Sequence, residues 1–210
     1  MASRHATHWN DHMMAAISIK CSGPQPFHHD ILQVCILPLD SDCKPLKEKG
    51  LLPFYLEMVP KRPENVDYKE LQISKDNYFK IIQSAMDADR TADLFDEWFE
   101  KLQLAPNKKL MPLTHDWAIT YAFMLDWLGF NHMEHYFSNQ VRDLLTGALI
   151  ENDRADVMVS QTPYPKLGLK YICSCLKVEH DRGHDALQDC LAASRAYRQL
   201  LRQTSIQPGM

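Results

Sequence analysis

Apolar and polar positions change period along this chain, and the changes mark out its elements. Ala16–Cys21 (AISIKC) alternates apolar and polar, the two-residue period of a half-buried strand. Ser22-Gly23-Pro24 ends it. Ile31–Leu39 (ILQVCILPL) is nearly continuous in apolar residues, which suits a strand covered on both faces. Leu52–Val59 is a third strand. The short, turn-rich connections predict an antiparallel meander.

Helical spacing takes over beyond residue 74. Ser74 stands before Tyr78, Ile81, Ile82 and Ala85 and reads as an N-cap. Leu94, Phe95, Trp98, Phe99 and Leu102 carry a helix over Thr91–Leu104. Lys109–Leu113 is a short strand. Asp116–Leu128 is a strongly apolar helix with Asp116 as its cap and Gly129 as its stop. Pro165–Val178 and His184–Leu201 are the last helices. Strands first, then strands alternating with helices, predict an α/β fold: a mixed sheet with helices packed on it. The organisation expected is a loose segment over residues 1–14, one domain over 15–203 and a tail over 204–210.

Composition narrows the class. The 210 residues are 45% hydrophobic and 24% charged, as in an ordinary globular domain. A net charge of −4 argues against a protein that coats nucleic acid through charge alone. The cysteines lack metal-knuckle spacing, and Cys21, Cys35 and Cys190 sit within apolar patterns as small core residues. No run is long enough to span a membrane, and residues 1–14 lack the apolar core of a signal peptide. The expectation is a reduced, cytoplasmic protein.

Three blocks carry candidate chemistry. The first is the strand and turn Ile17-Ser18-Ile19-Lys20-Cys21-Ser22-Gly23. The second is His115-Asp116-Trp117-Ala118-Ile119-Thr120, at the start of the apolar helix. The third is His184-Asp185-Ala186-Leu187-Gln188-Asp189, opening the last helix. In kind and order they resemble the blocks D-x-E-T-T-G, H-N-x-x-F-D and H-x-x-x-x-D of the DEDDh-type 3′–5′ exonucleases. The likeness runs from about Ala15 to Leu201. It implies an RNase H-like fold: three antiparallel strands, then shorter strands, with helices on both faces of the sheet.

The resemblance also assigns roles. His184 would be the general base and Asp189 a ligand of a divalent metal. The other acids of the pattern are absent: Ser18, Lys20 and Thr120 stand in their places. Two-metal phosphodiester hydrolysis needs several carboxylates around ions about 3.5–4 Å apart. Lys20 opposes that arrangement, since unit like charges ~4 Å apart cost about 4 kcal/mol at an effective dielectric of about 20. The expectation is a vestigial site without a metal, in which Asp189 either pairs with Lys20 in place of the missing charge or stays as a relic. Asp116, Asp143 and Asp30 are the remaining candidate ligands, and Asp116 serves better as a cap.

The function expected is a degenerate exonuclease-like protein that acts by binding. Its partner would be nucleic acid or a nucleic-acid-processing protein, which it would engage as an inhibitor or decoy. His115 and Asp116 are candidate contacts, as are Arg195, Arg198 and Arg202, which share one face of the last helix. The alternative is an active 3′–5′ exonuclease with a variant site, using Mg²⁺ or Mn²⁺. His132 and His135, three residues apart, are a remote zinc possibility and read better as solvated surface.

Overall fold

A computed structural model describes residues 12–47, 51–180 and 185–204 of the chain. Among the described residues six strands form one sheet: β1 (Met13–Cys21), β2 (Ile31–Pro38), β3 (Phe54–Val59), β4 (Met86–Asp87), β5 (Leu110–Thr114) and β6 (Arg142–Asp143), in the order β4-β3-β2-β1-β5-β6. β1–β2 and β2–β3 pair antiparallel; β1–β5, β5–β6 and β3–β4 pair parallel. The meander and the α/β class thus stand as read from the sequence. β1 begins at Met13, inside the segment expected to be loose, because Met13 and Met14 are buried and pair with Leu110 and Met111. Residues 1–11 lie outside the described residues.

Seven helices accompany the sheet among the described residues: α1 (Lys75–Ser84), α2 (Ala88–Lys101), α3 (Trp117–Leu128), α4 (Phe130–Tyr136), α5 (Leu144–Val157), α6 (Leu169–Cys175) and α7 (Ala186–Thr204). The alternation of β1 sorts them to two faces. Met13, Ala15, Ile17 and Cys21 share a core with Phe95, Phe123, Trp127 and Tyr136 of α2, α3 and α4. Met14 and Ala16 point the other way, onto Ala186 and Cys190 of α7. α5 and α6 pack on the outer side of α7.

The caps follow their chemistry. Ser74 Oγ accepts from Asn77 N, and Asp116 accepts from Ile119 N, each satisfying a free N–H of a first turn. Gly129 adopts φ 79° and ψ 164°, a backbone conformation that glycine takes without strain, and this lets α3 stop and α4 start. Two helices differ from expectation. The stretch 165–178 is helical only over α6: Gly168 caps its start, and Lys177 at φ 55° closes its end. α5 carries no strong periodic signal, because it buries only Leu144, Ala148 and Ala155.

Gly23 makes a tight contact that any side chain would break. A Cβ there would lie 2.3 Å from Cδ2 of His29. The His29 ring is buried and its Nδ1 accepts from Gln25 N, so it has little freedom to withdraw. Gly23→Ala is therefore expected to destabilise the protein by about 1–3 kcal/mol, read by urea unfolding.

Candidate functional site

A pocket of about 380 Å³ opens at the carboxyl ends of β1 and β5, the side of a parallel strand pair where ligands bind in α/β sheets. Its walls gather the three sequence blocks. β1 gives Ser18 and Lys20, which are two apart and so share a face. The β5–α3 junction gives Thr114, His115, Asp116 and Thr120; α7 gives Asp189 and Ala193. Ile119, Phe123 and Leu169 add an apolar wall. A second cleft of about 800 Å³ lies near His12, Lys109 and Phe130 and holds none of these residues.

Lys20 and Asp189 form the centre of the pocket. Lys20 Nζ lies 2.5 Å from Asp189 Oδ2, and only 8% of the lysine is exposed. The expected pairing is present. Ser18 Oγ faces the same oxygen at 3.5 Å. His180 Nε2 lies 2.9 Å from the other oxygen, Oδ1. A carboxylate only accepts, so the hydrogen on that bond sits on Nε2. The other ring nitrogen of His180 is buried, without a partner among the described residues. Asp189 is thus held on both oxygens by donors.

The other polar groups of the pocket are similarly committed. Thr120 Oγ1 donates to the carbonyl of Asp116 at 2.7 Å, and His115 Nε2 lies 2.6 Å from the carbonyl of Leu167. Asp143 is not a ligand candidate once its bonds are seen. One oxygen accepts from Trp117 N at 2.6 Å and the other from Thr146 N at 2.9 Å, so it ties together the N-termini of α3 and α5. Asp30 is bound by Arg62 through both oxygens. Cys21 lines the pocket, but burial pushes its thiol well above the usual cysteine range, so it offers no thiolate at neutral pH.

These residues do not fit a divalent cation. Mg²⁺ and Mn²⁺ call for carboxylate oxygens. Here the carboxylate of Asp189 faces an ammonium, and the neighbouring oxygens belong to hydroxyls. No cluster of three or more His, Cys, Asp and Glu able to hold a metal exists among the described residues. That includes His132 and His135. His132 is engaged with the Leu128 carbonyl, and His135 packs its ring on Tyr136.

No family model matches the sequence, and no curated protein matches it. Solved structures do match. One is a 3'-exonuclease in 3'-end specific recognition of histone mRNA stem-loop: TM-score 0.63, 12% identity, 96% of this chain and 67% of that one. Another is the nuclease domain of 3'hExo, a DEDDh family member bound to rAMP: TM-score 0.58, 13% identity, 97% of this chain and 95% of that one.

The fold is that of the DEDDh 3′-exonucleases.

Cell-death related nuclease 4 shares it as well, at TM-score 0.61 and 14% identity, with 91% of this chain and 64% of that one aligned. The chain spans 41% of the length of the Exonuclease I chain it matches. In this DEDDh fold, Ser18, Lys20, His115, Asp116, Thr120 and Asp189 converge on one pocket. Arg195, Arg198 and Arg202 are not among its walls. Arg195 Nε donates to the Leu191 carbonyl, Arg198 lies within electrostatic reach of Asp42, and Arg202 donates to Gln199. His184 lies outside the described residues. The sequence blocks did not point to His180. It stands nine residues before Asp189, outside the six-residue motif, and a second histidine in the loop before α7 is the signal that could have found it.

Proposed function

We propose that this chain is a degenerate exonuclease fold that binds single-stranded nucleic acid without cleaving it. The observation that carries this reading is the Lys20 ammonium on Asp189, where hydrolysis needs a metal-loving acid. Fold alone does not confer activity; the site must supply it. With Ser18, Lys20 and Thr120 in place of acids, and with both Asp189 oxygens engaged, no group among the described residues is left to hold a metal-activated water. His184 and Asp189 are on this reading remnants, and Asp189 keeps a structural use as the partner of Lys20.

The nucleic-acid part rests on the pocket and on similar structures. Exonuclease I was solved in complex with a dT13 oligonucleotide, and 3'hExo with rAMP. The pocket combines a cation, hydroxyls and an apolar wall of Ile119 and Leu169, matching a backbone phosphate, a sugar and a base face. The chain carries a net charge of −4, so the affinity expected is modest and falls steeply with salt.

Fluorescent single-stranded DNA and RNA, incubated with Mg²⁺ or Mn²⁺, provide the test. The expected result is a salt-sensitive rise in anisotropy with no shortening of the strand. Shortening that His184→Ala abolishes would establish the alternative, an active 3′–5′ exonuclease with a variant site. A flat anisotropy response at low salt would instead favour a nucleic-acid-processing protein as partner. For such a partner the end of α5 offers an apolar contact, since Val157 and Val159 are 85% and 94% exposed.

A further inference from the structure

We infer that Lys20 is a built-in substitute for the metal, so that this pocket takes a phosphate-bearing ligand with no divalent ion and gains nothing when one is supplied. The inference rests on the nucleic-acid reading above and adds to it how the charge of the ligand is met.

A two-metal site balances divalent ions against several carboxylates. Two carboxylates line this pocket: Asp116 caps α3 through Ile119 N, and Asp189, at the centre, is balanced by one ammonium at 2.5 Å. Both states are near neutral, but here the positive charge is covalently part of β1. Lys20 is 8% exposed and still lines the pocket, so its ammonium is anchored on one side and presented on the other. An ammonium has three donors, and the bond to Asp189 uses one.

Asp189 does not repel a phosphate as a bare carboxylate would. Its Oδ2 takes Lys20, with Ser18 beyond, and its Oδ1 takes His180. The donor left facing the cavity beside it is therefore the ammonium, since the one hydrogen of the Ser18 hydroxyl is turned to Asp189. Phosphate oxygens are acceptors and pair best with charged donors. A divalent cation entering the same space meets the ammonium first and would have to displace both Lys20 and His180 from Asp189.

Two measurements on the wild-type protein test this. The first is Mn²⁺ titration of the protein alone, followed by the electron paramagnetic resonance signal of free Mn²⁺; no specific binding is expected. The second is anisotropy of a labelled single-stranded oligonucleotide in EDTA and in Mg²⁺ at matched ionic strength; chelation is expected to leave binding intact. Lys20→Gln should weaken binding by about tenfold or more, as loss of one charge-assisted contact implies. Lys20→Arg should retain most of it, and circular dichroism confirms that each variant is folded.

Stoichiometric Mn²⁺ binding, or oligonucleotide binding that EDTA abolishes and Mg²⁺ restores, would overturn the inference. A folded Lys20→Gln with unchanged affinity would do the same. Absence of oligonucleotide binding in every buffer would remove the nucleic-acid reading and the phosphate half with it. The Mn²⁺ titration would still decide whether Lys20 excludes a divalent ion.

Discussion

Lys20→Met is expected to lower stability by about 3–5 kcal/mol, the usual result of removing one partner of a buried ion pair. The size follows from burial. The side chains of Lys20 and Asp189 are 10% and 15% exposed, so Asp189 would be left with too little water to replace the ammonium. His180 and Ser18 offset part of the loss, which places the effect toward the lower end. Asp189→Asn is expected to cost a similar amount, by stranding the lysine. The double variant Lys20→Met/Asp189→Leu should recover most of the stability, because a matched apolar pair carries no desolvation cost. A double-mutant cycle in urea or guanidinium measures the coupling. Additive losses would show that the two side chains do not depend on each other.

Arg62→Ala is the second large effect expected, again about 3–5 kcal/mol. Arg62 follows β3 and reaches two separate parts of the chain, the β1–β2 connection and α3. Its guanidinium and backbone N–H bind Asp30, at the start of β2, and its guanidinium also binds Asp126 of α3 and the Phe27 carbonyl. The Asp30 side chain is only 7% exposed, so no water takes the place of the guanidinium. Lysine cannot reproduce the planar fork, and Arg62→Lys is expected to keep only part of the stability. Thermal unfolding reads both variants. At about 2–4 °C per kcal/mol for a chain of this size, Arg62→Ala should lower Tm by about 6–20 °C.

The sequence blocks were legible because local rules fix each of them. Ser18 and Lys20 share a face by the two-residue period of a strand, Asp116 caps an apolar helix, and Asp189 lies in the first turn of the last one. Each rule acts within a few residues, so position in the chain predicts position in the pocket. α5 was illegible for the opposite reason. Gly147 interrupts it, and its packing is supplied by a distant residue, since a Cβ at Gly147 would lie 2.7 Å from Leu200. β4 and β6 have two residues each, too few for any period to register.

His180 belongs to the same category. A loop residue has no period, and only the folded chain brings it to Asp189. The reverse holds for Asp30 and Asp143. Their residue type suggested ligands, and the fold uses them as fasteners for Arg62 and for two helix N-termini. A carboxylate in a sequence is an acceptor of unknown assignment; its donors are set by tertiary structure.

The face that α7 turns to the sheet is built from small side chains. Ala186 and Cys190 are buried there, with Leu187, Leu191 and Tyr197 packed beside them, and Cys190 Sγ reaches the carbonyls of Ala16 and Cys35 at 3.4 and 3.5 Å. At Cys190 the helix therefore rides at a height set by the strand backbones themselves. Because Ala193 and Asp189 stand on one side of the pocket and Ser18 and Lys20 on the other, that height is also the gauge of the opening. Enlarging Ala193 is therefore expected to narrow the pocket.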